Sequence, residues 1–513
     1  MTHTLTTRFL RGAIRPAHLT VLRFTGAVIL FTLSSACADE KAVPVLEDIR
    51  GAVERFVNAR AAGSTDDFLA AVAKVKEMAD AGHTFFRFLL AVHAVQEPLC
   101  ALSDEQRVRY LNEGRPLIRA HARERNALAQ YLTGLDCDLN LNQPNEARDW
   151  YRQAAEQGLA LAQNALGLMS YLGQGGPQDD DQAAECFRQA ALQGDRNGEY
   201  NLAALYAQGR GVPKDASMAF VLYTRAAEKG HSSAMNNLGW LCQEGLGTEK
   251  NVEAAAAWYR RSAESGNADG QFNYGFVCAR GRGVPRNPRE AGLWFARAAD
   301  QGHVEAQVNI GLLYRDGDGV KQDDRKALMW FAKAAEQRHA MAQFFIGQMY
   351  EEGRGVPQDP ERAFKWYTKA AEQSNPRAIH ALGTFHYRGI VVPKDYAQAE
   401  RHYRRAAEAG LPAAQNNLGM LYLRGEGVPQ DHALAAKWFA RAARQGAAEA
   451  IYNLATLYEY GRGVEMSHIR AVELCKQAAS QGHVGAAEWL LKNGYTAWGG
   501  GQRRDQEEVI SNR

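Results

Sequence analysis

The sequence predicts an all-α superhelical solenoid, a stack of helix-turn-helix (α/α) units, and three observations lead there. From Ala162 the chain repeats itself nine times with a period of 36 residues and no net insertion or deletion, the units opening at Ala162, Gly198, Ala234, Gly270, Ala306, Ala342, Ala378, Ala414 and Ala450. One column, Gly173, Gly209, Gly245, Gly281, Gly317, Gly353, Gly389, Gly425 and Gly461, is glycine in every copy, and the column of Ala335 is alanine in every copy. A fixed period of this length marks stacked helical units, which offer an extended surface rather than a catalytic cleft.

Each unit reads as helix, glycine loop, helix, glycine turn. Between Ala306 and His339, residues Ala306, Ile310 and Tyr314 fall four apart on one helix face. Gly311 sits beside Ile310, in a column that is also glycine at Gly167, Gly239, Gly275, Gly347, Gly383 and Gly419. Glycine inside a helix costs about 1 kcal/mol relative to alanine, so its recurrence predicts a second helix backbone in close approach. The glycine at 317 predicts a left-handed C-terminal cap. Two residues later glycine recurs in eight of nine copies, the exception being Val391, where a β-branched residue must bend the loop differently or bear strain. Asp179, Asp215, Asn251, Asn287, Asp323, Asp359, Asp395, Asp431 and Ser467 then place an N-cap residue before each second helix. In that helix Ala327, Trp330, Phe331, Ala334 and Ala335 form an amphipathic stripe.

The segment AQNNLGMLYLRGEGVPQDHALAAKWFARAARQG, from Ala414 to Gly446, resembles the Sel-1-like repeat (SLR), a relative of the tetratricopeptide repeat, and the resemblance covers about 162–485. Departures are local: Arg338 and Ser374 replace the final glycine, and Cys186, Leu222, His402 and Leu474 replace the tryptophan of the second helix. The resemblance implies a right-handed superhelix and adaptor roles, in envelope assembly, regulation or host contact. A cysteine-rich branch of that family, linked to weak penicillin binding or β-lactam hydrolysis, carries cysteine pairs that this chain lacks.

The ends read differently. Residues 1–38 form a signal peptide: Arg8, Arg11, Arg15 and Arg23 precede an apolar run from Phe24 to Leu33, and Ala36-x-Ala38 is a small-residue cleavage signal. The run is too short to span a bilayer. The expected location is periplasmic or secreted; Cys37 keeps open a lipid anchor, although Ser34 stands where a lipobox favours leucine, and a mitochondrial presequence is the third option. Residues 39–145 read as a divergent N-terminal helical cap, with two helices around Gly82. The array is placed at 146–485, preceded by a degenerate half-unit around LAQYLTGLDCDLN. Residues 486–513 read as a capping helix, opened by Ala486, and a disordered tail.

Composition narrows the partners. The chain carries 60 basic and 58 acidic side chains, and the first 38 residues hold four arginines and no acid, so the remainder is slightly acidic. A general polyanion binder, nucleic acid included, is not expected. The G-R-G triplets at 209–211, 281–283, 353–355 and 461–463 occupy one loop position and read as solvated turns. Cys242 and Cys278 share a column one repeat apart, too far for a disulfide where packed helices lie about 8–10 Å apart. Cys186 and Cys475 read as small core residues; Cys100 and Cys137 remain undecided. His231, His303, His339 and His483 share the turn after the second helix and read as exposed turn residues. No nucleophile elbow, phosphate loop or metal spacing appears, so neither catalysis, metal nor cofactor is expected.

The candidate ligand site is a column in the first helix that reads Asn201, Asn237, Asn273 and Asn309, and returns as Asn417 and Asn453. An amide can pair with a peptide backbone irrespective of sequence, and in tetratricopeptide repeats the equivalent column lines the concave face. Tyr200, Trp240, Phe272, Phe276, Phe344 and Tyr452 are placed beside it; aromatics with amides suit a protein or peptide segment, or alternatively a polysaccharide or peptidoglycan chain. The competing expectation is that these asparagines bond to a neighbouring helix or loop.

Overall fold

The computed structural model describes residues 102–496 together with Arg87, Phe88 and Ala91. The expected signal peptide, Cys37, most of the stretch expected to form two helices around Gly82, Cys100 and the tail from 497 lie outside the described residues. Among the described residues there are 22 helices and no strand. A helix at Asp104–Arg123 precedes ten helix pairs, and Val484–Lys492 follows them. We call the first helix of each pair A and the second B. The first pair, Ala127–Leu139 with Pro144–Glu156, includes the stretch whose sequence reads as degenerate.

The chain divides into two compact units, Met1–Gln301 and Gly302–Arg513. The first holds the pairs up to Ala268–Arg280 and Pro288–Asp300. The second runs from Val304–Asp316 and Asp324–Glu336 to Ala448–Tyr460 and His468–Ser480. Each unit has its own core of alanines and aromatics, with Tyr259 and Phe295 buried in the first and Phe331, Tyr367 and Phe439 in the second.

Local chemistry sets these elements. Each expected N-cap side chain accepts from a backbone N–H of its B helix, as Asp323 does from Lys326 and Ser467 from Arg470. Each expected glycine closes its A helix in the left-handed region, as Gly317 does at φ 72°. The stripe Ala327, Trp330, Phe331, Ala334 and Ala335 is buried throughout.

The glycines inside the A helices need a different explanation from the one their recurrence predicts. What approaches them is chiefly an aromatic ring of the B helix in the same repeat, not a backbone. A Cβ at Gly347 would lie 2.7 Å from Cδ1 and Cε1 of Tyr367, and one at Gly311 2.6 Å from Cε1 of Phe331. The pairing is visible in the repeat that departs from it: Ala455 in the glycine column stands with Cys475 in the aromatic column. Ala203 with Tyr223 shows that a methyl is accommodated once. At the end of the array the column holds Leu491, half-exposed.

The second loop glycine marks a contact between successive repeats. Gly211, at φ 61°, lies against the start of the preceding B helix, where a Cβ would be 2.0 Å from the carbonyl oxygen of Asp180. Val391 occupies this column at φ 66°, with its side chain half-exposed, so of the two expectations the strained one holds. Left-handed backbone costs a side-chain-bearing residue about 1–2 kcal/mol. Val391→Gly is expected to stabilise the second unit by about 0.5–1 kcal/mol, part of the relief being offset by glycine's greater freedom when unfolded, which a shifted urea midpoint at constant slope would register.

Cys137, Cys186, Cys242, Cys278 and Cys475 are free thiols. Burial pushes Cys278 up to about 11 and Cys475 up to about 12, so both stay protonated and unreactive at neutral pH.

Candidate functional site

The asparagine column lies on the A helices, where most of its amides tie one repeat to the next. In the first unit Asn201 Nδ2 donates to Asn164 Oδ1 at 2.9 Å, and Asn273 Nδ2 to Asn236 Oδ1 at 2.8 Å. Asn237 hydrogen-bonds the phenols of Tyr200 and Tyr223. In the second unit Asn453 Nδ2 donates to Asn416 Oδ1 at 2.8 Å, and Asn417 Nδ2 lies 2.9 Å from His380 Nε2. Asn309 instead donates to the carbonyl of Glu305 in its own helix. Apart from Asn309 the rule is simple: each asparagine meets the residue 37 positions earlier, and that residue is an amide, an imidazole or a phenol. Asn201 and Asn273 are buried; Asn237, Asn309, Asn417 and Asn453 are half-buried. These bonds to neighbouring helices are the competing expectation stated above, met with specific partners.

The aromatic residues of the candidate site fall into two rows. In the first unit Tyr200 is buried and its ring stacks on His231 at 4.3 Å, while Trp240, Phe272 and Phe276 are half-buried. Phe272 and Phe276 are neighbours, 6.3 Å between centroids, and the guanidiniums of Arg280 and Arg282 lie 5.7 and 5.9 Å from the Phe276 ring. In the second unit Phe344 packs between Phe345 and Tyr367, each at 5.6 Å, and Tyr452 lies 4.6 Å from the His483 ring.

Three sets of residues escape a reading by residue type. His231, His303, His339 and His483 are not exposed turn residues but N-caps of A helices, each accepting a backbone N–H through Nδ1 at 3.0–3.3 Å. The signal was present: other copies hold Asp195, Asn267 and Asn375 in this column. Glutamines 30 residues apart clasp the start of A to the end of B, as Gln301 does Gln271 and Gln373 does Gln343, both at 2.8 Å. Where the first member is Glu199, the second is Lys229, 2.7 Å away. Two of the G-R-G arginines are also engaged rather than solvated: Arg210 grips Asp180 and Arg354 grips Asp324, the repeat before in each case, both at 2.7 Å.

His380 is the titratable member of the asparagine ladder. Burial pushes it down to about 4, and a neutral imidazole suits the amide hydrogen it accepts from Asn417. An unfolded histidine titrates near 6.5, so between about pH 6.5 and 4 the unfolded chain binds the extra proton. Stability therefore falls as pH drops through that window, and the loss is complete below it. Asparagine stands in this column at 164, 236 and 416. His380→Asn is expected to keep the bond to Asn417 and flatten this part of the pH dependence. Asp195, raised to about 6 chiefly by burial, titrates nearby with the opposite sign, so the difference between wild-type and variant melting curves from pH 7 to 4 is the quantity to measure.

Among the described residues no group of three or more His, Cys, Asp or Glu gathers to hold a metal ion, and no helix is long and apolar enough to cross a membrane.

The Sel1 repeat family model matches ten segments: 126–159, 160–195, 197–231, 232–267, 268–303, 304–339, 340–375, 376–411, 412–446 and 448–483. Among solved structures, the chain is similar to a protective antigen present in uropathogenic Escherichia coli strains displaying an SLR fold. The two are 32% identical over 82% of this chain and 89% of that one, with a TM-score of 0.64. It is also similar to a Sel1 repeat protein from Oxalobacter formigenes, 36% identical over 60% of this chain and 90% of that one, with a TM-score of 0.50. No curated protein matches the chain.

Proposed function

The chain belongs to the Sel1 repeat family, and from that premise we propose that it is an exported, non-catalytic adaptor that binds a protein or peptide partner along the face of its A helices. The observation that carries this reading is the recurrence of half-buried aromatics at one register of successive A helices, Trp240 and Phe276, beside a ladder of amides that fixes those helices in step. A primary amide has two hydrogens and two carbonyl lone pairs. In the half-buried Asn417 and Asn453, one bond to the preceding repeat therefore leaves groups of the kind an extended peptide backbone needs, and the aromatics supply apolar contact at low entropic cost.

Export rests on the arginine-flanked apolar run before Asp39, and the place of work we favour is a bacterial envelope, in assembly, regulation or host contact. The Escherichia coli relative, described as a protective antigen, fits that setting.

Phe276→Ala tests the reading. Affinity capture from the native host with the wild-type chain is expected to recover a discrete protein, and the variant to recover at least about tenfold less, the loss of one central aromatic anchor. Equal recovery by a folded Phe276→Ala variant would remove this face from the account.

A further inference from the structure

The B helices of the second unit carry an ordered array of charge. Lys365 and Lys369 of Pro360–Glu372, Arg401 and Arg405 of Tyr396–Glu408, and Lys437 and Arg441 of His432–Arg444 are all exposed. They occupy the same two columns of the repeat, 36 residues apart from helix to helix. Four residues advance about 6 Å along a helix, so each helix offers two cations one turn apart and three successive helices make a double row. In the first unit the column of Lys365 holds Glu185, Val221, Ala257 and Leu293, so the double row belongs to the second unit alone.

Its second row is held in place. Lys369 lies over Trp366 at 4.3 Å, Arg441 over Trp438 at 4.5 Å, and Arg405 donates to the carbonyl of Ala371 and to Ser374 Oγ. Side chains already ordered lose less entropy when a ligand arrives. Lysine and arginine interchange within both columns, so what the columns share is charge rather than the guanidinium fork.

We propose that this double row is a binding site for a linear anionic polysaccharide of the uronate type, on a different face from the peptide surface on the A helices. Charge complementarity is the first argument. Width is the second: on the first two helices exposed Glu372 and Glu408 border the row one turn further on, with exposed Arg444 in that place on the third, so a bilayer or a nucleic-acid duplex would meet two acids that a single narrow chain lying along the row does not. Periodicity is the third, because a site that repeats with the fold matches a polymer that repeats its carboxylates. The backbone N–H and C=O groups of a helix interior are already paired, so the face holds its ligand by side-chain charge and offers a peptide backbone no ladder to join.

The test uses the full chain and polygalacturonate as the probe. The wild type is expected to bind it at about 50 mM salt and to lose affinity steeply as salt rises, because exposed charges are screened within a Debye length. The charge-reversed triple variant K365E/R401E/K437E is expected to bind about tenfold more weakly or worse. The neutral K365Q/R401Q/K437Q should fall between the two, which keeps the test valid if the reversed variant does not fold. Neutral dextran is expected not to bind. The proposal is overturned by absence of polygalacturonate binding to folded wild type at low salt, or by affinities unchanged in both variants. Tighter binding of poly-L-glutamate or of single-stranded poly(dT) at matched charge would also overturn it, assigning the row to an acidic protein or to nucleic acid.

Discussion

Phe331→Ala is expected to lower the unfolding free energy of the second unit by about 3–5 kcal/mol, the range for emptying a fully buried aromatic site. Phe331 has no exposed surface, stacks on Phe345 at 5.1 Å between ring centroids, and fills the space that the missing side chain of Gly311 leaves. Collapse cannot easily close the cavity, because the A and B helices of the repeat are joined by a loop whose caps fix its geometry. In a repeat array stability is a sum of unit and nearest-neighbour contributions, so the loss should be local. Hydrogen exchange should show Val304–Asp316, Asp324–Glu336 and Ala340–Glu352 losing protection first. Met329→Ala, two residues away at a half-exposed position, is the control and should stay within about 0.5 kcal/mol of wild type.

Gly211→Ala should cost about 3–4 kcal/mol, from two sources that can be separated. Positive φ accounts for about 1–2 kcal/mol of it. The remainder comes from the carbonyl of Asp180: with a Cβ 2.0 Å away, the loop must move off the preceding B helix and pull Arg210 away from its bidentate contact with Asp180. Gly209→Ala isolates the first source, since its Cβ would meet the Lys214 side chain at 3.0 Å rather than a backbone carbonyl. Unfolding free energies from urea titrations of the two variants should therefore differ by about 1–3 kcal/mol, with Gly209→Ala the milder.

These two residues also show what the sequence makes legible. A column that is glycine in nine copies announces a backbone constraint, and the loop, caps and helices follow from local chemistry alone. The partner of a glycine is not local: whether a backbone or a ring fills the gap at Gly311 depends on which helix returns to it, and only the exchange of Ala455 with Cys475 carries that information in the chain. The asparagine column is similar. Residue type says that an amide binds something; the register of 37, one repeat plus one residue, says that it binds the previous A helix, and that offset is invisible when columns are read one at a time. The histidines at 231, 303, 339 and 483 follow the same logic, since a column shared with aspartate and asparagine is a cap column. Charge patterning on the B helices was hidden by a near-neutral total.

The account's central claim is that the A-helix face, and not the B-helix face, carries the protein partner. A photo-reactive phenylalanine analogue placed in turn at 240, 276 and 293, all in the first unit, in the native host measures this directly. The account predicts that one protein is crosslinked from 240 and from 276, through a contiguous segment of its sequence, and none from the exposed Leu293 position on the B helix. Crosslinks from 293 with none from 240 or 276 would contradict it.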